Sequence, residues 1–172
     1  QVSNIGINSF IETNKWRWIS NKTYKKLNCR EIELGDILIS RMPNHIGRSW
    51  LSVEKQFKMV TVVDVAILKV NKQITSSYFL NERFNSKYNI ELCEMLAGGT
   101  TRKRVSKNSL GNVIHVNPSK MLLNRFDEIV EPIYNAKENY IKQNQLLKEA
   151  RDILLPRLMT GMIDTEELDI AV

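Results

Sequence analysis

The 172 residues suffice for one domain with a real core and an appendage, but not for two full domains. With 42% apolar and 26% charged residues the composition is globular and argues against wholesale disorder, and no apolar run approaches the roughly 18 residues of a membrane span. The formal charge of +6 is unevenly spread: Gln1 to Lys120 carry 19 Lys and Arg against 9 Asp and Glu, a balance of +10, whereas Met121 to Val172 carry 6 against 10, a balance of −4. A polyanionic partner is therefore expected for the first part alone. Cys29 and Cys93 stand apart, without CxxC spacing or His neighbours, and read as two reduced thiols of a cytoplasmic protein. No signal-peptide pattern opens the chain and Gln1 is no initiator, so a processed chain or a piece of a longer one is expected.

Asn14 to Lys26, NKWRWISNKTYKK, interleaves Trp16, Trp18 and Tyr24 with Lys15, Arg17, Lys22, Lys25 and Lys26. In one reading the aromatics are core and the cations face phosphates; in the other this is a solvated charged face. Asp36 to Ser40, DILIS, is a β-rich run that leads into SRMPNHIGRSW, where Arg41, Asn44, His45, Arg48 and Ser49 surround Pro43 and Gly47. Arg and Asn can pair bidentately with guanine and adenine edges, and loops beyond strands can carry them into a groove; an ordinary polar loop is the alternative. Met59 to Val70, MVTVVDVAILKV, is a second β-rich run. Ser76 to Tyr88 sets Tyr78, Phe79, Leu80, Phe84 and Tyr88 at helical offsets, with serines available as caps. Leu96 to Leu110, LAGGTTRKRVSKNSL, joins two glycines to Thr100, Thr101, Arg102, Lys103, Arg104 and Lys107 with no acid among them. Asn112 to Val116, NVIHV, completes the β-rich runs.

After Pro118 the pattern changes. Leu122, Phe126, Ile129, Ile133, Ala136, Tyr140, Gln143, Leu147, Ala150 and Leu154 recur at alternating steps of four and three, a heptad seam whose one polar member is Gln143. Val130, Leu146 and Ile153 widen the apolar face. Asn124 is the expected N-cap, with Asp127 and Glu128 in the first turn to complement the helix dipole. A helix from there to Met159, at roughly 1.5 Å per residue, is on the order of 50 Å long. Pro132 should kink or interrupt it, and two shorter core helices broken at that point are the alternative. The prediction is an α+β protein: a mixed α/β domain over 1–120, then a long coiled-coil-forming helix and tail over 121–172. Such a stripe is expected to pair with a second helix, with Gln143 either fixing register across the pair or facing solvent.

Motifs for catalysis are missing. Gly98 and Gly99 are adjacent with no GK[ST] after them, so the basic segment is not a Walker A loop, and GxGxxG is absent. His45 and His115 lie far apart, without a second metal ligand at helical spacing. No acid precedes a lysine by two residues, no GxSxG elbow occurs, and VNPSK lacks the second proline and the aromatic of an adenine-methylation loop. These observations favour binding over a self-contained enzyme. A nuclease with an unrecognised site is the alternative.

Four stretches, YKKLNCREIELGDILISRMPNHIGRSW, LAGGTTRKRVSKNSL, FDEIVEPI and ENYIKQNQLLKEARDILLPRLMTGMID, resemble the specificity subunit of type I restriction-modification systems, RDILLPRLMTG most specifically. The resemblance implies one target-recognition domain followed by one spacer helix. Full subunits of that family hold two such units with their helices antiparallel. This chain would then be half of one, the C-terminal half, or a half-length subunit that pairs with a copy of itself. The implied role is to read one half of a split site in double-stranded DNA and to scaffold the modification (methyltransferase) and restriction subunits. S-adenosylmethionine and ATP belong to those partners, and no cofactor or metal is expected in this chain. In that context GGTTRKRVSKN, Gly98 to Asn108, is expected to be a loop that contacts the DNA backbone.

Overall fold

A computed structural model describes residues 1–13, 16–55 and 57–163. The chain forms two compact units, Gln1–Asp127 and Glu128–Val172. In chain order the elements are α1 (Asn21–Lys26), β1 (Ile37–Ser40), β2 (Ser49–Leu51), β3 (Val65–Leu68), α2 (Ser77–Asn85), α3 (Lys87–Met95), α4 (Lys107–Gly111) and α5 (Lys120–Met159). The fold class is α+β.

The three strands make one antiparallel sheet in the order β2-β1-β3. All four residues of β1 are buried, so both faces of this central strand are covered. Leu38 lies opposite Trp50, and with Val65 they form a core with Ile5 under Val2, Phe10, Ile32, Val53 and Met59. On the other face Ser49 meets α2. Its hydroxyl donates to Asn81 Oδ1 (2.8 Å), while Asn85 accepts from the Ser49 N–H (2.9 Å) and donates back to its carbonyl (2.9 Å). Asn8, at φ +50°, accepts from Asn81 Nδ2 (2.7 Å), so the N-terminal segment is tied to the same polar knot. These buried amides need partners, and the knot supplies them reciprocally.

The serines expected as caps fulfil that role. Ser76 accepts from the N–H of Phe79 and Ser86 from that of Asn89, so the helical stretch after Ser76 is two helices meeting at Ser86. Ser76 also donates to the Asp127 carboxylate, Phe79 packs edge-on to Phe126, and Leu123 is buried. The first two turns of α5 therefore belong to the sheet-containing unit.

Several expectations need correction. The helix starts at Lys120, not near Asn124: Ser119 Oγ accepts from the Leu122 N–H at 3.4 Å, Asn124 lies inside the helix, and no acid occupies its first turn. Pro132 does not interrupt α5, which continues through both Pro132 and Pro156. Each proline withholds one N–H, from the carbonyls of Glu128 and Asp152 respectively, and the flanking turns carry the helix past them. Of Met59 to Val70 only Val65–Leu68 is strand. NVIHV is no strand at all. Val113 to Ser119 is an irregular connection in which Ile114 and Val116 are exposed, because no neighbouring strand offers its residues a ladder.

Within that connection His115 turns inward, its ring edge-on to Phe84 at 5.1 Å. Neither ring nitrogen has a hydrogen-bond partner among the described residues, and burial, with Arg83 adding repulsion, lowers the imidazole below its ordinary value of 6.5. Below that value the unfolded chain binds a proton that the folded chain refuses, so stability falls with falling pH and is indifferent to His115 above it. In thermal melts from about pH 8 down to about pH 5, His115→Phe should lose less Tm than the unaltered chain. Identical pH profiles would show that His115 is not a source of acid sensitivity.

Candidate nucleic-acid interface

The residues flanking Gly47 and Gly99 converge at the end of the sheet where β1 stops and β2 starts. The 41–48 connection leaves β1 at Arg41 and returns through Gly47, whose N–H donates to the Ser40 carbonyl (3.0 Å). Gly47 sits at φ +77°, and a Cβ there would come 3.0 Å from Cys93 Cβ on α3. The loop is thus pressed onto α3, where burial pushes the Cys93 thiol up to about 11 and makes it unreactive near neutrality. The 98–104 segment closes on itself: Gly98 and Arg104 exchange backbone hydrogen bonds at 2.8 and 3.2 Å. Gly99, at φ +122°, has the Arg102 carbonyl 2.6 Å from where a Cβ would be, so only glycine fits this turn. Thr100, Thr101, Arg102 and Lys103 form its exposed tip.

Arg41 joins the two. Its side chain is buried, Nε donating to the Val105 carbonyl (2.8 Å) and Nη1 to the Val63 carbonyl (3.1 Å). Its main chain adds bonds to Asp64 O (3.0 Å) and from Val105 N (3.2 Å). Arg104 Nη2 reaches the same Val63 carbonyl (3.2 Å) and Asp64 Oδ1 (3.0 Å). Desolvation lowers the Arg41 pKa from its ordinary value; the neighbouring Arg104 adds to this and Asp64 opposes it. A guanidinium is still charged there, since its intrinsic pKa is so high. Arg41, expected close to a base edge, is buried and bonded to carbonyls of both segments. Arg104 is likewise engaged by the protein itself.

The cleft between the loops is lined by Pro43, Asn44 and Ile46 from one, Thr101, Arg102 and Lys103 from the other, and Glu94 from α3. Two stretches singled out separately in sequence thereby face each other. Asn44 is exposed at φ +69°. His45 Nδ1 lies 3.2 Å from Arg48 Nη1, and burial and then Arg48 lower the His45 pKa, so a neutral ring can accept from the guanidinium. Lys107 is exposed at the start of α4, behind the Ser106 cap. Asp64, Val63 and Glu94 were not singled out in sequence, because a loop acid and a backbone carbonyl carry no motif.

The other basic stretch is placed apart. Arg17, Lys22 and Lys25 are exposed around α1, and Lys15 lies outside the described residues. The aromatics between them are not core: Trp16 and Trp18 are both exposed. On α5 the seam residues Leu122, Ile129, Ile133, Tyr140, Gln143, Leu147 and Leu154 are exposed, and Phe126 is half-buried against Phe79. Among the described residues no three His, Cys, Asp or Glu side chains gather to hold a metal ion, and no helix is long and apolar enough to cross a membrane.

The architecture is thus a small α+β head with a basic loop pair and a long helix. No protein-family model matches the chain. Part of it is similar to the specificity subunit of the type I restriction enzyme MjaIX from Methanocaldococcus jannaschii, 34% identical over 70 residues, which is 41% of this chain and 16% of that protein.

Removing the Arg41 guanidinium should strand two carbonyls that it now satisfies. Arg41→Met is expected to destabilise the sheet-containing unit by about 1–3 kcal/mol in urea titrations. A midpoint unchanged from that of the parent chain would mean that Arg41 does not hold the loops.

Proposed function

We propose that this chain is a non-catalytic DNA-recognition module of the type I restriction-modification specificity kind, reading one half of a bipartite target in double-stranded DNA. The observation that carries the reading is the cleft in which Asn44 faces Arg102 and Lys103, two loops bound together by Arg41. Exposed cations at a loop tip suit phosphates, which position a protein on DNA, while an exposed amide beside them suits a base edge. The partial likeness to a specificity subunit supports it. In this reading Arg102, Lys103, Lys107, Thr100 and Thr101 contact backbone, Asn44 and Arg48 reach toward bases, and Lys22, Lys25 and Arg17 add to the field. The domain over 1–120 is the reader, and the helix and tail over 121–172 are the spacer. Through its exposed seam that helix pairs with a second target-recognition unit or a second copy of this chain, and the assembly scaffolds modification and restriction subunits that carry S-adenosylmethionine and ATP chemistry in the cytoplasm.

Two experiments test the reading. Arg102→Ala with Lys103→Ala should weaken binding to every duplex and flatten the slope of log K against log salt by about 0.9 for each phosphate that is no longer neutralised. Binding and slope that do not move would remove the loop tip from the interface, and metal-dependent cleavage of duplex by the purified chain would favour a nuclease instead. For the helix, Ile133→Lys, Leu147→Lys and Leu154→Lys together should abolish association in sedimentation while the α+β unit keeps its melting transition. An unaltered chain that is monomeric at high micromolar concentration would leave the seam for a helix in a longer subunit.

A further inference from the structure

A second surface lies at the other end of the sheet. Phe57 follows β2 beyond Leu51, whereas the 41–48 loop precedes it, so the strands separate the two places. There Trp16 and Trp18 stand nearly parallel, ring centroids 6.2 Å apart at 22°. Phe57 meets both edge-on, at 5.2 Å and 83° to Trp16 and at 5.9 Å and 75° to Trp18. A half-buried phenyl ring thus buttresses two indoles that remain open, Trp16 at 47% and Trp18 at 73% exposure. Large aromatics are ordinarily the most valuable core material, and Trp50 in this same chain is only 2% exposed. Two indoles fixed in water side by side need a reason.

The surrounding charge supplies one. From Trp16 to Arg30 the sequence holds five Lys and Arg and no acid, and Arg17, Lys22, Lys25, Lys26 and Arg30 are all exposed. Glu31, Glu33 and Glu54 line the pocket that includes Phe57, its two lysines being paired with acids, so the unpaired positive charge comes from the Trp16 to Arg30 run. Flat ring faces beside such a run are the two components of a surface that holds unpaired nucleic acid: cations follow the phosphates and bases stack on the rings. A duplex presents its bases edge-on within a stack, so it could use the cations and not the indoles. An apolar protein partner would use the indoles and gain nothing from the cations.

We propose that Trp16, Trp18 and the cations from Arg17 to Arg30 form a binding surface for single-stranded DNA, separate from the cleft between the 41–48 and 98–104 loops. The choice of DNA over RNA rests on the duplex-DNA reading of that cleft; stacking itself does not depend on it.

The test is tryptophan emission of the full chain titrated with oligo(dT). Because Trp50 is buried, quenching reports on Trp16 and Trp18. Oligo(dT) should quench, and a duplex of equal length should bind without comparable quenching. Trp16→Ala with Trp18→Ala should weaken oligo(dT) binding, followed by anisotropy of a labelled strand, by about tenfold or more. Trp16→Phe with Trp18→Phe should restore much of that loss, since phenyl rings still stack, which separates stacking from misfolding. Arg102→Ala with Lys103→Ala should weaken duplex binding and leave quenching by oligo(dT) intact, and an unaltered chain that is quenched by oligo(dT) but binds no duplex would sink the cleft reading and spare this one. The proposal is overturned if the double Ala variant binds oligo(dT) as the parent does, if poly-glutamate quenches equally well, or if oligo(U) binds more tightly than oligo(dT).

Discussion

The buried guanidinium of Arg41 is the constraint on which the arrangement of the head depends. Taking a charge out of water is costly, and the cost is met here by carbonyl dipoles at Val63 and Val105 with Asp64 close by, not by a buried carboxylate partner. Those two carbonyls lie 42 residues apart in sequence (105 less 63), so a single planar group with forked donors registers segments that have no sheet in common. Asp64 and Arg104 then close the same junction from its exposed side. A lysine could not replace this, because one ammonium cannot span both carbonyls in the same plane. The tip at Arg102 and Lys103 can stay exposed and cationic because the residues beneath it are fixed.

The glycines answer the same need from the backbone. A loop that must approach α3 as closely as Gly47 does, or turn as tightly as Gly99 does, has no room for a Cβ. The pair GG, which lacks the GK[ST] of a phosphate loop, is explained by a turn closing on the Arg102 carbonyl. Phosphate loops wrap an anion with N–H groups; this turn uses its N–H and carbonyl at Gly98 to bind its own Arg104.

What could be read from the sequence follows from which signals are local. Ser76 and Ser86 could be recognised as caps because capping involves residues three apart, and β1 appeared as DILIS because its residues are buried on both faces. NVIHV failed for the opposite reason: β-propensity says that a segment would suit a sheet, not that a sheet edge is at hand. Asn124 is a good cap residue with an equally good one five positions earlier, Ser119, ahead of a turn containing no acid. Trp16 and Trp18 were open to a core reading because hydrophobicity alone does not tell an indole that is buried from one that stays exposed. Arg41 showed the inverse, a cation singled out for its donors whose partners in the fold, the Val63 and Val105 carbonyls, carry no sequence signal. The cleft was legible only in halves: each loop could be noted for its composition, while the junction between them depends on Val63 and Val105, residues without any pattern.

The second unit raises a different physical question. Over its 40 residues α5 has one buried residue, Leu123, and that lies in the turns belonging to the first unit. Helices in water owe little of their stability to propensity and most of it to burying a face, and this one additionally forgoes two hydrogen bonds at Pro132 and Pro156. Its seam of Leu, Ile and Tyr is exposed from Ile129 to Leu154, with Leu146 and Ile153 broadening it. Salt bridges along the surface do not compensate, since pairs of exposed charges contribute at most about 1 kcal/mol. A helix of this length with an apolar stripe and no covering element among the described residues leaves unmet the burial on which helix stability in water mostly rests. The pairing proposed for the seam would supply that burial, and the acidic balance of this part of the chain, against the basic excess of the first 120 residues, agrees with a surface that meets protein and not phosphate.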